Sequence, residues 1–171
     1  MKKKEKFTDH TIAMLALNKP GVMSKITSLI TRRGYNVESI TVGKTKEKGM
    51  ARITLVVKGD DQGVEQIQKQ LNKIIDTVKV YPITPENRVA RELALVKIKL
   101  TKGDKSDLFQ LINIYNAEIV DTSLGGIVVE ITGSSEKIDG FINLLPQNLI
   151  VGIARSGILA MHKLSYIPQE E

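Results

Sequence analysis

Two histidines, an adjacent pair of aspartates and a few glycine-containing turns are the places where this chain could concentrate chemistry. His10 and His162 lie far apart in sequence, and neither has a second base or a metal-spaced partner beside it. Both therefore read as surface or satisfied core residues, not as general bases or ligands. Asp60 and Asp61 resemble a carboxylate pair, but a helix cap explains them better. Thr132-Gly-Ser-Ser135 and Leu124-Gly-Gly126 read as turns. The chain contains no Gly-x-Gly-x-x-Gly, P-loop or Gly-x-Ser-x-Gly motif. It also has no cysteine, which removes thiol nucleophiles, disulfides and thiolate-ligated metals. No catalytic residue, metal site or cofactor of its own is expected.

One segment offers recognition chemistry. Leu17-Asn-Lys-Pro-Gly-Val-Met23 joins a strand signal to a helix signal. A helix start leaves backbone N–H groups at Gly21, Val22 and Met23 without intrahelical partners, at the positive end of the dipole, and so suits a carboxylate. Gly21 lets a ligand approach the backbone closely, and the Asn18 side-chain carbonyl can accept from an ammonium group. Carboxylate and ammonium together describe a free α-amino acid. On these residues alone, however, the plainer reading is that Asn18 caps the helix and Gly21 is incidental.

The elements that must position this segment follow from periodicity. Residues 10–17 form a short apolar run read as a buried strand. Pro20 suits the first helical position, and Val22, Met23, Ile26, Leu29 and Ile30 recur at helical spacing behind it. Arg32 and Arg33 favour the helix's last turn, and Gly34 supplies the stop. Residues 35–42 read as a strand whose alternation slips between Val37 and Ile40, which predicts a bulge. Ile53, Leu55 and Val57 alternate with Arg52, Thr54 and Lys58 as in a half-buried strand. Asp60 or Asp61 caps a helix striped by Val64, Ile67, Leu71, Ile74 and Ile75. Val78 and Val80 then start a strand that runs out at Pro82 and Pro85.

That order, βαββαβ, recurs in the second half. Ala94, Val96, Ile98 and Leu100 mark a strand, and Leu108, Leu111, Ile112 and Tyr115 a helix. A hairpin turns at Gly125-Gly126, and Ile138, Phe141, Ile142 and Leu145 lie on a helix stopped by Pro146. Residues 149–154 return as a strand, with residues 157–161 as its extension. The expected class is α+β: two ferredoxin-like βαββαβ sandwiches, each an antiparallel sheet with both helices on one face. The expected division is a disordered basic tail over residues 1–7, a first domain over 8–84 and a second over 85–171. Two such small cores are marginal alone, so mutual packing or oligomerisation is expected.

Charge and composition exclude further classes. Of the net charge of +6, residues 1–7 carry +3, residues 8–84 carry +5 and residues 85–171 carry −2. Aromatic residues make up 4% of the chain, and the strand over residues 50–58 has none on which bases could stack. Nucleic acid is not the expected partner. No apolar run approaches a membrane span, and the lysine-rich start lacks the apolar core of a signal peptide, so the cytoplasm is the expected location.

Five stretches carry a resemblance: Asn18-Lys-Pro-Gly-Val-Met-Ser24, Arg33-Gly-Tyr-Asn-Val-Glu-Ser-Ile-Thr-Val42, Gln66-Ile-Gln-Lys-Gln-Leu-Asn-Lys-Ile-Ile-Asp76, Arg91-Glu-Leu-Ala-Leu-Val-Lys-Ile98 and Ala154-Arg-Ser-Gly157. In this order they resemble the signatures of acetolactate synthase small regulatory subunits, over nearly the whole chain. The second stretch is the most specific. The resemblance implies that the first domain is of the ACT type and the second is the small subunit's C-terminal ferredoxin-like domain. It also implies that ACT domains of two protomers pair and that a branched-chain amino acid binds between them. Asn18, Gly21, Val22 and Met23 of one protomer would hold the carboxylate and ammonium, and Asn36 and Val37 of the other would close the site. The implied partner is a catalytic large subunit carrying thiamine diphosphate, Mg2+ and FAD, which the small subunit activates and makes sensitive to valine, leucine or isoleucine. The alternative is an amino-acid-sensing ACT protein acting on transcription or on another enzyme. A transcription factor would need a helix-turn-helix, for which the two βαββαβ units leave no segment.

Overall fold

The computed structural model describes residues 8–100 and 105–166. The expectation of a basic tail over residues 1–7 lies outside them. Contacts divide the chain into two units, one running to Val89 and resuming at Ile158, the other Ala90–Gly157.

The first unit contains β1 (Thr8–Leu17), α1 (Val22–Arg32), β2 (Asn36–Lys44), β3 (Met50–Gly59), α2 (Asp61–Leu71) and β4 (Thr77–Ile83). Its strands form an antiparallel sheet in the order β2-β3-β1-β4. Ile12, Met14 and Ala16 of β1 and Ile53, Leu55 and Val57 of β3 point to one face, as period-2 alternation requires. There they meet Val22, Ile26 and Ile30 of α1 and Val64, Ile67 and Leu71 of α2. The α1 stripe packs as its spacing predicts, whereas α2 ends at Leu71, so Ile74 only borders the core from the segment beyond the helix and Ile75, expected on the same stripe, is exposed. The bulge in β2 is present, a register shift between Val37 and Ser39. Asp60 caps α2, its Oδ1 accepting from the Gly63 N–H at 2.8 Å.

Two local expectations are corrected. Pro20 does not open α1; it sits in the preceding turn, and Gly21 is the N-cap, with φ +86°. β4 does not stop at Pro82 but includes it, which is tolerable because β4 is an edge strand, where proline's missing N–H can fall on the side with no neighbouring strand.

The second unit repeats the plan with β5 (Arg88–Lys99), α3 (Lys105–Ile114), β6 (Glu118–Ser123), β7 (Gly126–Gly133), α4 (Ser135–Leu144) and β8 (Ile150–Arg155), in the sheet order β6-β7-β5-β8. Its core joins Ala94, Val96 and Ile98 to Ile127, Val129 and Ile131, under Leu108, Ile112, Ile138 and Phe141. Both sheets are antiparallel with helices on one face, so the expected doubled ferredoxin-like architecture is present.

Residues 157–161 do not extend β8. Gly157 adopts φ +79°, and a separate strand, β9 (Leu159–His162), follows. β9 groups with the first unit and lies against β1 and β4. The Thr41 hydroxyl donates to the Ile158 carbonyl at 2.8 Å, the Lys163 N–H donates to the Asn87 carbonyl at 3.0 Å, and the His162 ring stacks 5.2 Å from that of Tyr81. The ladder partner of β9 is β5.

One polar feature of the second unit sits where alternation demands a hydrophobe. Glu92 shares its face with Ala94, Val96 and Ile98, and is only 6% exposed. Arg155 of β8 donates to both of its carboxylate oxygens, Nε to Oε1 at 2.8 Å and Nη2 to Oε2 at 2.7 Å. Ser135 donates to Oε2 at 3.0 Å, and Arg155 Nη1 reaches Asp139 of α4 at 2.6 Å. This pins β5, β8 and α4 together. The Arg155 hydrogen bonds hold the Glu92 carboxyl below the ordinary carboxylate range, against burial, which pushes it up; the Ser135 bond adds to the lowering. The same pairing keeps Arg155 firmly charged.

Glu92→Gln should therefore lower stability at pH 7 by about 2 kcal/mol, less than for a fully buried pair because Arg155 keeps Asp139 and some solvent. A depressed carboxyl stabilises the fold above its unfolded pKa of about 4.3, and that contribution is lost as pH falls through the folded value. Calorimetric Tm values should separate wild type from variant at pH 7, with the gap narrowing only as pH falls below about 4.

Candidate functional site

The N-terminus of α1 is where the structure leaves recognition chemistry open. Gly21 occupies the cap with no side chain, no side chain of the protein caps the helix, and no acidic residue lies in its first turn. Of the three amides expected to be open, Val22 N–H is directed at the Lys19 carbonyl, at a long 3.4 Å. Intrahelical bonding starts with Lys25 N–H donating to the Gly21 carbonyl, so the Met23 and Ser24 amides have no acceptor within the helix. The left-handed conformation of Gly21 sets this geometry, because an L side chain there would be strained.

The other expected residues divide into two groups. Asn18 is exposed, and its backbone N–H donates to the Gly49 carbonyl at 2.8 Å, which ties it to the turn between β2 and β3. It does not cap α1, which removes the plainer reading of that residue. Val22 is buried beneath the helix end, and Met23 is partly buried against the same core. These residues are brought together with Gly21 at one end of α1. Asn36 and Val37 open β2 at the helix's other end, and 11 helical residues at 1.5 Å each separate the groups by roughly 16 Å. Asn36 is exposed and its Nδ2 donates to Glu38 Oε1 at 2.6 Å, which fixes the amide and leaves its Oδ1 as an acceptor. Val37 is half-buried in the core. A single chain therefore keeps the two groups apart.

Beside Asn36 lies a cleft of about 530 Å³, lined by Arg33, Tyr35, Lys58, Gln62 and Gln66 among others. Sequence reading assigned these residues no role, since a cleft between a strand start and a helix start leaves no periodic signal. Glu92 could have been found from sequence, because a carboxylate in register with buried strand residues needs a partner. Among the described residues no group of three His, Asp or Glu side chains could hold a metal ion. Among them, too, no helix is long and apolar enough to cross a membrane.

Doubled antiparallel sheets, each with its helices on one face, make this a two-unit protein of the ACT type. Residues 12–79 match the family described as the AHAS small subunit-like ACT domain, and residues 91–164 match the family described as the small subunit of acetolactate synthase. A probable acetolactate synthase small subunit from Archaeoglobus fulgidus is 46% identical over 152 residues, covering 89% of this chain and 95% of that protein. The acetolactate synthase small subunit of Mycolicibacterium smegmatis is 38% identical over 154 residues, covering 90% and 92%. The crystal structure of the acetolactate synthase small subunit from Thermotoga maritima is 49% identical with a TM-score of 0.86, covering 91% of this chain and 98% of that one. The chain belongs to the acetolactate synthase small subunit family.

Space around Gly21 is open: a Cβ built there meets nothing within 4 Å. Gly21→Ala should therefore cost only the left-handed conformation, about 1–2 kcal/mol, seen as a lower urea midpoint with an unchanged slope.

Proposed function

We propose that this chain is a non-catalytic regulatory subunit that binds a free branched-chain amino acid, valine first, across a pair of its own copies. On this reading residues 8–84 are the effector-binding domain and residues 85–171 the small subunit's C-terminal domain, as the sequence division has it. Bound effector sets the activity of a catalytic acetolactate synthase subunit, which supplies the thiamine diphosphate, Mg2+ and FAD of the complex. The observation that carries the reading is the α1 end that no side chain caps, next to Asn18. A carboxylate placed there would accept from the Met23 and Ser24 amides at the positive end of the dipole. The ammonium group would donate to the side-chain carbonyls of Asn18 and of Asn36 from a second copy.

The edge position of β2 supports the shared site. Its outer side has no neighbouring strand in the sheet. Antiparallel pairing of two β2 strands about a two-fold axis near Ile40 would set Asn36 of one copy opposite Lys44 of the other. Lys44 leads into the turn whose Gly49 carbonyl holds Asn18. The pairing thus carries the second half-site to the first. The effector's side chain would face Met23, since Ile26 one turn on is fully buried in the core, and one methylene there changes affinity by only about 1–3 kcal/mol, so leucine and isoleucine are expected to compete with valine.

Calorimetric titration of the purified chain with valine tests this. Saturable heat below millimolar valine is expected, and a folded chain that gives none overturns the reading. Asn36→Ala should weaken valine binding about tenfold or more and relieve feedback, while activation of the catalytic subunit persists. Loss of activation with binding intact would show the site to be misassigned.

A further inference from the structure

A second surface of the first unit lies along the same helix. An open groove of about 990 Å³ runs between α1 and the segment that follows α2. Leu29 and Ile74, both packed against the core, give it an apolar floor, and Ile75 stands beside them 89% exposed. Lys25, Arg32 and Lys73 also line it, and no carboxylate does. Lys25 is neutralised by Asp76. Arg32 spends only its Nε, on the Ser28 carbonyl at 3.2 Å, and among the described residues neither Arg32 nor Lys73 forms an ion pair. A single exposed isoleucine needs no explanation. One beside an apolar floor and two unneutralised cations makes a surface complementary to a particular partner.

We infer that this groove receives an acidic segment of the catalytic subunit, which seats an aliphatic side chain on Leu29, Ile74 and Ile75 and sets carboxylates against Arg32 and Lys73. A small inorganic anion would leave the isoleucine unused. A nucleic acid strand would find no aromatic side chain among the lining residues. The inference rests on the proposed function for its partner and adds the place of contact. It also gives α1 two jobs: its first residues meet the effector and its exposed face meets the catalytic subunit, so a shift of one helix would be felt at both.

The test measures binding of the full-length chain to the catalytic acetolactate synthase subunit from the same source by biolayer interferometry, at low and at raised salt. Arg32→Glu combined with Lys73→Glu should weaken binding at least about tenfold and flatten its salt dependence. Ile75→Ser should weaken it by about threefold to tenfold with the salt dependence kept. These side chains are exposed, so circular dichroism should show an intact fold. Unchanged affinity in the double variant overturns the inference, as does tighter binding. A double variant that changes the oligomeric state in size-exclusion chromatography also overturns it, because the groove is then an interface between copies of this chain. Valine calorimetry on the same samples separates the two readings. Groove variants that bind valine normally but the catalytic subunit poorly support both. Loss of valine binding by the wild type, with groove-dependent docking intact, would sink the effector site and leave the groove standing. A wild-type chain that fails to bind the catalytic subunit sinks the groove.

Discussion

A helix that begins on glycine leaves its first amides to whatever comes near, and the proposed effector site depends on this. Most helices satisfy those groups with a serine, threonine, aspartate or asparagine one residue before the first turn. Among the described residues the same chain does so with Asp60 at α2 and Ser134 at α4. At α1 it places Gly21 instead, in a conformation that only glycine adopts without strain, and puts no acid in the first turn. The cost of glycine in place of a capping side chain is small, roughly a few tenths of a kcal/mol. What is kept is a set of fixed, positively polarised N–H groups. Val22 and Ile26, buried in the core, hold these groups rigid, so an incoming carboxylate meets donors already in place.

The rest of the first unit can be understood as support for that end. β1 delivers the chain to the turn from the centre of the sheet, where β3 and β4 flank it on both sides. Leu17 N–H donates to the Asp76 carbonyl and Asn18 N–H to the Gly49 carbonyl, so the turn is anchored to the entry of β4 and to the β2–β3 turn. β9 adds a second layer on the sheet face away from the helices, where Ala13 and Ala160 are buried. A four-stranded sheet with helices on one side usually leaves the other to solvent. Here the strand after Gly157 covers part of it.

Much of this was legible in the residues, and the failures have physical causes. The slip between Val37 and Ile40 located the bulge, Gly34 stopped α1 with φ +71°, and doubled alternation revealed both sheets, because each signal is local. Pro20 was misplaced because proline suits the turn before a cap as well as the first helical position, and only Gly21's backbone decides between them. Residues 157–161 read as a continuation of β8 because a four-residue strand has too few side chains to show that it is separate and pairs with β5. Glu92 escaped notice although its register with Ala94 and Val96 marks it as inward-facing; its partner lies 63 residues away, beyond any periodic signal. Asn36 lies at the far end of α1 from Gly21, so one chain alone cannot assemble the site that the proposed function gives them.

That division has a thermodynamic consequence. If one effector needs groups from two chains, it binds the pair and not the single chain, so its binding free energy is also association free energy. Saturation a hundredfold above the dissociation constant would stabilise the pair by about 2.7 kcal/mol. By reciprocity, any partner that spreads the two copies lowers effector affinity by the same factor by which the effector resists the spreading. Couplings of this kind are typically about 1–3 kcal/mol, enough to change activity several-fold to about a hundredfold without remaking the fold. Such a device needs no catalytic group and no large motion. It needs an open helix end, a fixed asparagine on a neighbouring copy, and an interface weak enough for a small molecule to tip.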